Sequence, residues 1–254
     1  MSGDVVRQWR EAAADDGAVL LDGFHALKHA LRFGARVRIA VTASRADARA
    51  LAGELAPDLA DRLDALLAEL PDRELRELVP RRHPTGIAAL ADRPAPAAVR
   101  AALRAPRSAP VVVLDNPRNL GNVGAVVRLA AGMAAAGVVT TGDADPWHPN
   151  AVRGAAGLHY ATAVTRLPLA DLPDAAPGPL YALDPAGDDL RTLRLPDDAL
   201  LAFGSERHGI SPVLRARADR LVSLPMRPQV SSYNLATSVA MALYHWSLGA
   251  GPNG

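Results

Sequence analysis

Short apolar runs alternate with longer amphipathic stretches along most of this chain. In the second half the pattern predicts strands at 111–115, 137–141, 161–167, 180–183, 199–203 and 220–224. Helices are predicted between them, near 122–135, 149–157, 211–218 and 233–248. Short apolar strands separated by helices imply a largely parallel sheet covered on both faces. In the last helix Leu235, Val239, Leu243 and Trp246 recur at helical spacing as one apolar stripe, large enough for a core or an interface. The first half repeats the alternation on a smaller scale. Val19-Leu-Leu reads as a strand, and the helix after Gly23 sets Phe24, Leu27 and Leu31 on one face. Val37–Val41 is a second strand, residues 45–78 hold two or three helical segments, and Gly86-Ile-Ala-Ala-Leu90 returns as a strand. Between the halves lies a Pro- and Ala-rich stretch. The expected fold class is therefore α/β, with a small domain at 1–97, a linker at 98–109 and a second domain at 110–254.

Bulk properties narrow the class of protein. A chain of 254 residues is long enough for two domains with their own cores. No apolar run approaches the roughly 20 residues needed to span a bilayer. The segment Met1-Ser-Gly-Asp-Val-Val-Arg-Gln-Trp-Arg10 lacks the apolar stretch of a secretion signal, so a cytoplasmic location is expected. Without cysteine there is no disulfide, thiolate metal site or cysteine nucleophile. The seven histidines show no ligand spacing, so no metal is expected. A net charge of +1 does not by itself point to nucleic acid.

Three polar, Gly- and Pro-rich segments follow apolar runs and carry the candidate chemistry. The first is Asn116-Pro-Arg-Asn-Leu-Gly-Asn-Val-Gly-Ala-Val-Val-Arg128, where Gly121 and Gly124 open a helix and Arg128 lies one turn beyond Gly124. A glycine at that spacing leaves the helix surface beside the guanidinium clear. The same strand, turn and helix, with Asp143 some way beyond, partly imitates a dinucleotide-binding turn, although the full Gly pattern is missing. The second segment, Phe203-Gly-Ser-Glu-Arg-His-Gly209, sets a carboxylate between glycines at a strand end, where it is either a surface turn or a paired group. The third, Leu224-Pro-Met-Arg-Pro-Gln-Val-Ser-Ser-Tyr-Asn-Leu235, gathers Ser231, Ser232 and Asn234 at a helix start. Capping of free N–H groups accounts for one of these, not three.

In order and spacing the three segments resemble the SpoU (TrmH-like) branch of the SPOUT RNA methyltransferases, with its N-x-G-x-x-x-R, G-x-E-x-x-G and P-M…S-L-N motifs. The resemblance spans roughly residues 110–248. It implies a catalytic domain with a deep trefoil knot, which periodicity cannot reveal. The activity implied is transfer of a methyl group from S-adenosylmethionine (AdoMet) to a ribose 2′-hydroxyl of structured RNA, with ribosomal RNA favoured over tRNA. Residue by residue, it places Gly204, Leu224, Met226, Tyr233 and Leu235 around AdoMet. Asn122, Arg128, Glu206, Ser232 and Asn234 fall at the reacting end, with Arg128 stabilising negative charge and either an RNA phosphate or Glu206 receiving the proton. It also implies a homodimer paired through the C-terminal domain, in which Arg128 of one subunit serves the pocket of the other. Tyr233 stands where the family usually has Leu, and Ala155 where Arg153-Gly-Ala-Ala-Gly157 would often carry Ser. These departures bear on the shape of the cofactor pocket and on one RNA or loop contact.

The N-terminal domain resembles the small RNA-binding domain that family members share with kink-turn-binding ribosomal proteins, through Leu21-Asp-Gly-Phe-His-Ala-Leu27 and Arg82-His-Pro-Thr-Gly-Ile87. A short helix over 97–105 would align Arg100 and Arg104, with Arg107 beyond, as a stripe for RNA phosphates; a solvated linker is the alternative. Two other functions remain open: a catalytically silent RNA-binding protein, and a nucleotide-dependent oxidoreductase using the Gly121/Gly124 turn.

Overall fold

The apolar runs of the first half become β1 (Ala18–Asp22), β2 (Val37–Thr42), β3 (Leu67–Glu69) and β4 (Ile87–Asp92) in the computed structural model, which describes residues 2–249. They form one sheet in the order β1-β4-β2-β3, with β4 antiparallel to β1 and β2, and β3 parallel to β2. Five helices accompany it: α1 (Ser2–Ala13), α2 (Phe24–Arg32), α3 (Arg45–Leu55), α4 (Ala60–Leu66) and α5 (Asp72–Leu78). The expected face of α2 is the buried one, carrying Phe24, Leu27 and Leu31. Two elements were not expected. Helix α1 is largely polar and is anchored by buried Trp9, whose indole N–H donates to the Leu78 carbonyl at 3.2 Å. Strand β3 is only three residues long and runs straight on from α4, so helical periodicity masks it.

These elements form one compact unit, comprising the chain up to Pro94 together with Ala156–Ala161. The returning segment could not be foreseen from local pattern. It is fixed by the Tyr160 hydroxyl, which donates to the Asp92 carbonyl at 3.0 Å, and by His29, whose Nδ1 lies 2.9 Å from the Ala156 carbonyl.

The second unit holds Ala95–Ala155 and the chain from Thr162 onward. Its strands are β5 (Val111–Leu114), β6 (Gly137–Thr140), β7 (Ala163–Arg166), β8 (Leu180–Asp189), β9 (Leu200–Phe203) and β10 (Arg220–Ser223). They line up as β10-β8-β9-β5-β6-β7 with every neighbouring pair parallel. The sheet is therefore the parallel one that the pattern predicts, and all four residues of β5 are fully buried. The helices are α6 (Pro96–Arg104), α7 (Leu120–Gly132), α8 (Pro149–Gly154), α9 (Leu172–Ala175), α10 (Pro212–Arg217) and α11 (Leu235–Gly249). Among the described residues no helix is long and apolar enough to cross a membrane.

One expectation needs correction. Residues 98–109, read as a linker, begin inside α6, whose Val99 and Leu103 belong to the core of the second unit. Their arginines are occupied in holding that helix down. Arg100 pairs with Asp171 at 3.6 Å, Arg104 donates to the Asp174 carbonyl, and Arg107 donates to the carbonyls of Leu103, Pro177 and Asp198. Such groups are not a free stripe for phosphates. Of the two readings of the Leu235/Val239/Leu243/Trp246 stripe, the structure gives the core: each residue is less than a tenth exposed.

Gly124 also has a different reason from the one expected. It is buried where α7 crosses α8, and a methyl group there would stand 2.9 Å from the Gly154 Cα and closer still to the Ala151 carbonyl oxygen. The glycine permits helix approach; it does not clear space for Arg128. Gly124→Ala is expected to destabilise the fold by about 1–3 kcal/mol through overpacking. Urea unfolding checks this, and an unchanged midpoint would refute the packing role.

Candidate active site

The three polar segments converge at the carboxyl ends of the parallel strands, the usual location of sites in open α/β sheets. The second segment leaves β9 and closes on itself: the Ser205 N–H donates to the Gly209 carbonyl and the Gly209 N–H to the Ser205 carbonyl, both at 3.0 Å. Gly204 is required at its root, because a Cβ there would collide with the Gly209–Ile210 peptide. Buried Asp115, at the end of β5, braces the same loop. Its carboxylate accepts from the Ser211 N–H at 2.7 Å and from the Thr141 hydroxyl at 3.0 Å. The third segment leaves β10 and is pinned by Tyr233, whose hydroxyl donates to the Pro225 carbonyl at 3.0 Å. Tyr233 thus ties its own loop together.

These two loops enclose a cavity of about 620 Å³. All five residues expected around a cofactor line it: Gly204, Leu224, Met226, Tyr233 and Leu235. So do Glu206, Ser232 and Asn234 of the expected reacting end. Asn122 reaches the rim from the first turn of α7. Its amide N–H donates to Glu206 Oε1 at 2.8 Å, and its carbonyl oxygen accepts from the Asn234 amide at 3.3 Å. One residue from each segment therefore joins a single hydrogen-bonded chain. Asn234 also caps α11, with its Oδ1 accepting from the Ala236 N–H at 2.9 Å, so its capping and site roles coexist.

Partial desolvation pushes the Glu206 carboxyl up, but the hydrogen bonds from Asn122 and from the backbone around Arg118 and Asn119 outweigh it. The group is held below the ordinary glutamate value and is ionised at neutral pH. A depressed carboxylate stabilises the fold fully above its unfolded pKa of about 4.3 and loses that contribution as pH falls through the folded value. Glu206→Gln should therefore reduce the loss of thermal stability between pH 7 and pH 3. An identical acid profile in mutant and wild type would show that the carboxylate does not carry this linkage.

Arg128 behaves differently from the other expected residues. It is exposed on α7, does not line the cavity of its own chain, and has no hydrogen-bonding or ionic partner among the described residues. Ala155, which stands where the family often has Ser, is fully buried. Sequence reading also missed Asp184 and Pro185, which line the cavity. The β8–β10 register shifts between Leu221 and Val222, and residues 183–187 leave the ladder there. Asp184 accepts from the Ala186 N–H at 2.9 Å and pairs with Arg215 at 2.5 Å. The Asp-Pro pair just beyond an apolar strand was the available signal.

This constellation of loops on a parallel sheet defines a SpoU-type domain, and the sequence comparison agrees. Residues 109–244, more than half of the chain, match the model of the SpoU rRNA Methylase family, and the chain belongs to that family. It is 31% identical over 144 residues to a 23S rRNA (uridine(2479)-2′-O)-methyltransferase of Streptomyces viridochromogenes, covering 52% of this chain and 50% of that protein. It is also 31% identical over 153 residues to the 23S rRNA (adenosine(1067)-2′-O)-methyltransferase of Streptomyces azureus, covering 55% of each. The matched region thus spans about half the length of these curated relatives. The fold likeness extends further. The crystal structure of the SpoU methyltransferase AviRb from S. viridochromogenes, in complex with AdoMet, superposes with a TM-score of 0.77 at 24% identity over 98% of both chains. An AdoMet-bound rRNA methyltransferase from Sinorhizobium meliloti gives 0.76 at 21% identity, over 97% of this chain and 94% of that one.

Proposed function

We propose that this protein transfers the methyl group of AdoMet to a ribose 2′-hydroxyl of structured RNA, with ribosomal RNA as the favoured substrate. The observation that carries this reading is the chain Glu206–Asn122–Asn234, drawn from three distant motif segments and set at the mouth of one cavity. The cavity has the mixed character AdoMet needs. Phe203, Leu224, Met226 and Leu235 offer apolar surface to an adenine ring, while Asp184, Ser231 and Ser232 offer polar partners to hydroxyl and charged groups. When bound there, AdoMet supplies an electrophilic methyl group.

The chain's own residues must then position the ribose and ease deprotonation of a weakly nucleophilic hydroxyl. A guanidinium remains protonated in proteins, so Arg128 acts by binding phosphate and stabilising negative charge that develops on the oxygen. Glu206, depressed and already accepting hydrogen bonds, is a poor proton acceptor and a good anchor for the Asn122 amide. A phosphodiester is a weaker base still, so Glu206 and an RNA phosphate both stand as acceptors of the proton.

The same reading includes a homodimer. Arg128 lies off its own cavity, on α7, which packs beside α11. On the face of α11 away from the core, Tyr244 and Leu248 are 61% and 67% exposed. The proposed arrangement is a second copy docked on this face, with Arg128 of each chain serving the neighbouring cavity. The trefoil knot, the RNA-binding role of the first unit and a cytoplasmic location complete the proposal. The Gly121/Gly124 turn lies outside the cavity built by the other two segments, which weighs against a dinucleotide-dependent oxidoreductase.

The test is incubation with tritiated AdoMet and unmodified 23S rRNA transcript, followed by mapping of 2′-O-methyl groups. Label at a defined ribose supports the proposal. AdoMet and RNA binding without label on 23S, 16S or tRNA transcripts would favour the silent RNA-binding protein.

A further inference from the structure

Most arginine side chains of the second unit are engaged: besides those of α6, Arg166, Arg191, Arg194, Arg215, Arg217 and Arg220 all hold carboxylates or carbonyls. Four have no hydrogen-bonding or ionic partner among the described residues: Arg118, Arg128, Arg207 and Arg227. All four fall within the three motif segments. Two of them, Arg118 and Arg207, line a second hollow of about 520 Å³, open to solvent and adjoining the first cavity. Asn119, Gly121, Asn150 and Glu206 complete most of its wall. Glu206 and Arg207 belong to both hollows and join them at the Asn122 junction.

The charge balance of this hollow favours an anion. Glu206 is its single carboxylate, and that group faces the Asn122 amide and the Arg118 backbone N–H, the latter at 3.4 Å. Neither guanidinium is neutralised by it. The first N–H groups of α7 do not make the site, because Asn119 Oδ1 already accepts from Gly121 at 2.8 Å and from Asn122 at 3.2 Å. What remains is a pair of free, planar, five-donor cations, the chemistry best suited to phosphate oxygens. The Asn150 side-chain amide adds a polar group beside them.

We infer that Arg118 and Arg207 form a phosphodiester subsite for the RNA substrate, holding the backbone next to the methylated ribose. This rests on the methyltransferase reading for the identity of the ligand, but the anion site is argued from the hollow itself. Both are positioning residues. They fix the substrate relative to the Glu206–Asn122–Asn234 chain and take no part in methyl transfer.

The test compares wild type with R118Q, R207Q, the double variant and R118K/R207K in the full chain. Filter binding uses unmodified 23S rRNA transcript and a mixed-sequence single-stranded RNA 12-mer at several salt concentrations, and calorimetry measures AdoMet affinity. Each phosphate contact contributes about 0.7–0.9 to the slope of log affinity against log salt. The double Gln variant should flatten that slope by up to about two contacts on at least one RNA and weaken binding about tenfold or more at low salt, and R118Q, at a residue that lines only the second hollow, should keep AdoMet affinity within about twofold of wild type. The double Lys variant should restore most of the slope, since charge is kept, but less of the affinity, since the planar fork is lost. A slope unchanged in the double Gln variant on both RNAs, or a wild type whose RNA binding does not depend on salt, overturns the inference. Loss of AdoMet binding in R207Q also overturns it, by moving Arg207 to the cofactor. Salt-dependent binding through these arginines without methyl transfer would instead overturn the methyltransferase reading and leave the subsite standing.

Discussion

Arg128→Ala is expected to lower methyl transfer by about a hundredfold to a thousandfold, the usual cost of removing a preorganised charge-stabilising donor. AdoMet affinity and thermal stability should stay near wild type. Arg128 is exposed, makes no hydrogen bond or ion pair among the described residues, and lies outside the cavity of its own chain, so its loss removes no visible structural contact. Single-turnover assays with tritiated AdoMet and RNA would read the effect. A variant that keeps more than about a tenth of wild-type rate, a loss below about 1.4 kcal/mol, would refute the assigned role. Arg128→Lys should recover only part of the rate, because a point charge replaces a bidentate fork.

The second large effect is a rescue. Arg128→Ala and Asn234→Ala chains should each be nearly inactive, the first lacking the cation and the second one link of the Glu206–Asn122–Asn234 chain. If the site is shared across a two-fold dimer, a mixed dimer rebuilds one complete site from the cavity of the first chain and the arginine of the second. Purified mixed dimers, made with two different affinity tags, should then recover about half of the wild-type activity per dimer. Asn234→Ala also removes the cap of α11, at a cost of about 1 kcal/mol, so its folding must be checked by circular dichroism. Folded mixed dimers without activity would show that Arg128 does not act across subunits, and a monomer in solution would exclude the shared site outright.

Local pattern determined most of the architecture. Six apolar runs in the second half are short, branched and separated by amphipathic stretches, and this is enough to specify buried parallel strands. Glycines, prolines and side-chain amides interrupt that pattern at three places; two of them build the cavity and the third reaches its rim through Asn122. That the residues expected around a cofactor line this cavity has the same reason: strand ends in a parallel sheet must turn, and the loops that turn there build the hollow.

Tertiary structure decided what each of those residues touches. Gly124 reads as a gap beside Arg128, yet its constraint comes from α8, and no local pattern announces which helix will cross it. The 97–105 segment has linker composition, but Val99 and Leu103 find a core to enter, and the three arginines follow them onto backbone carbonyls and Asp171. Asp184 enters the cavity only because β8 and β10 slip register. Ala156–Ala161 belongs to the first unit through hydrogen bonds to groups 127 and 68 residues away along the chain. Periodicity reports which face of an element is apolar. The partner that covers that face, and the charge left uncovered beside it, exist only once distant segments meet.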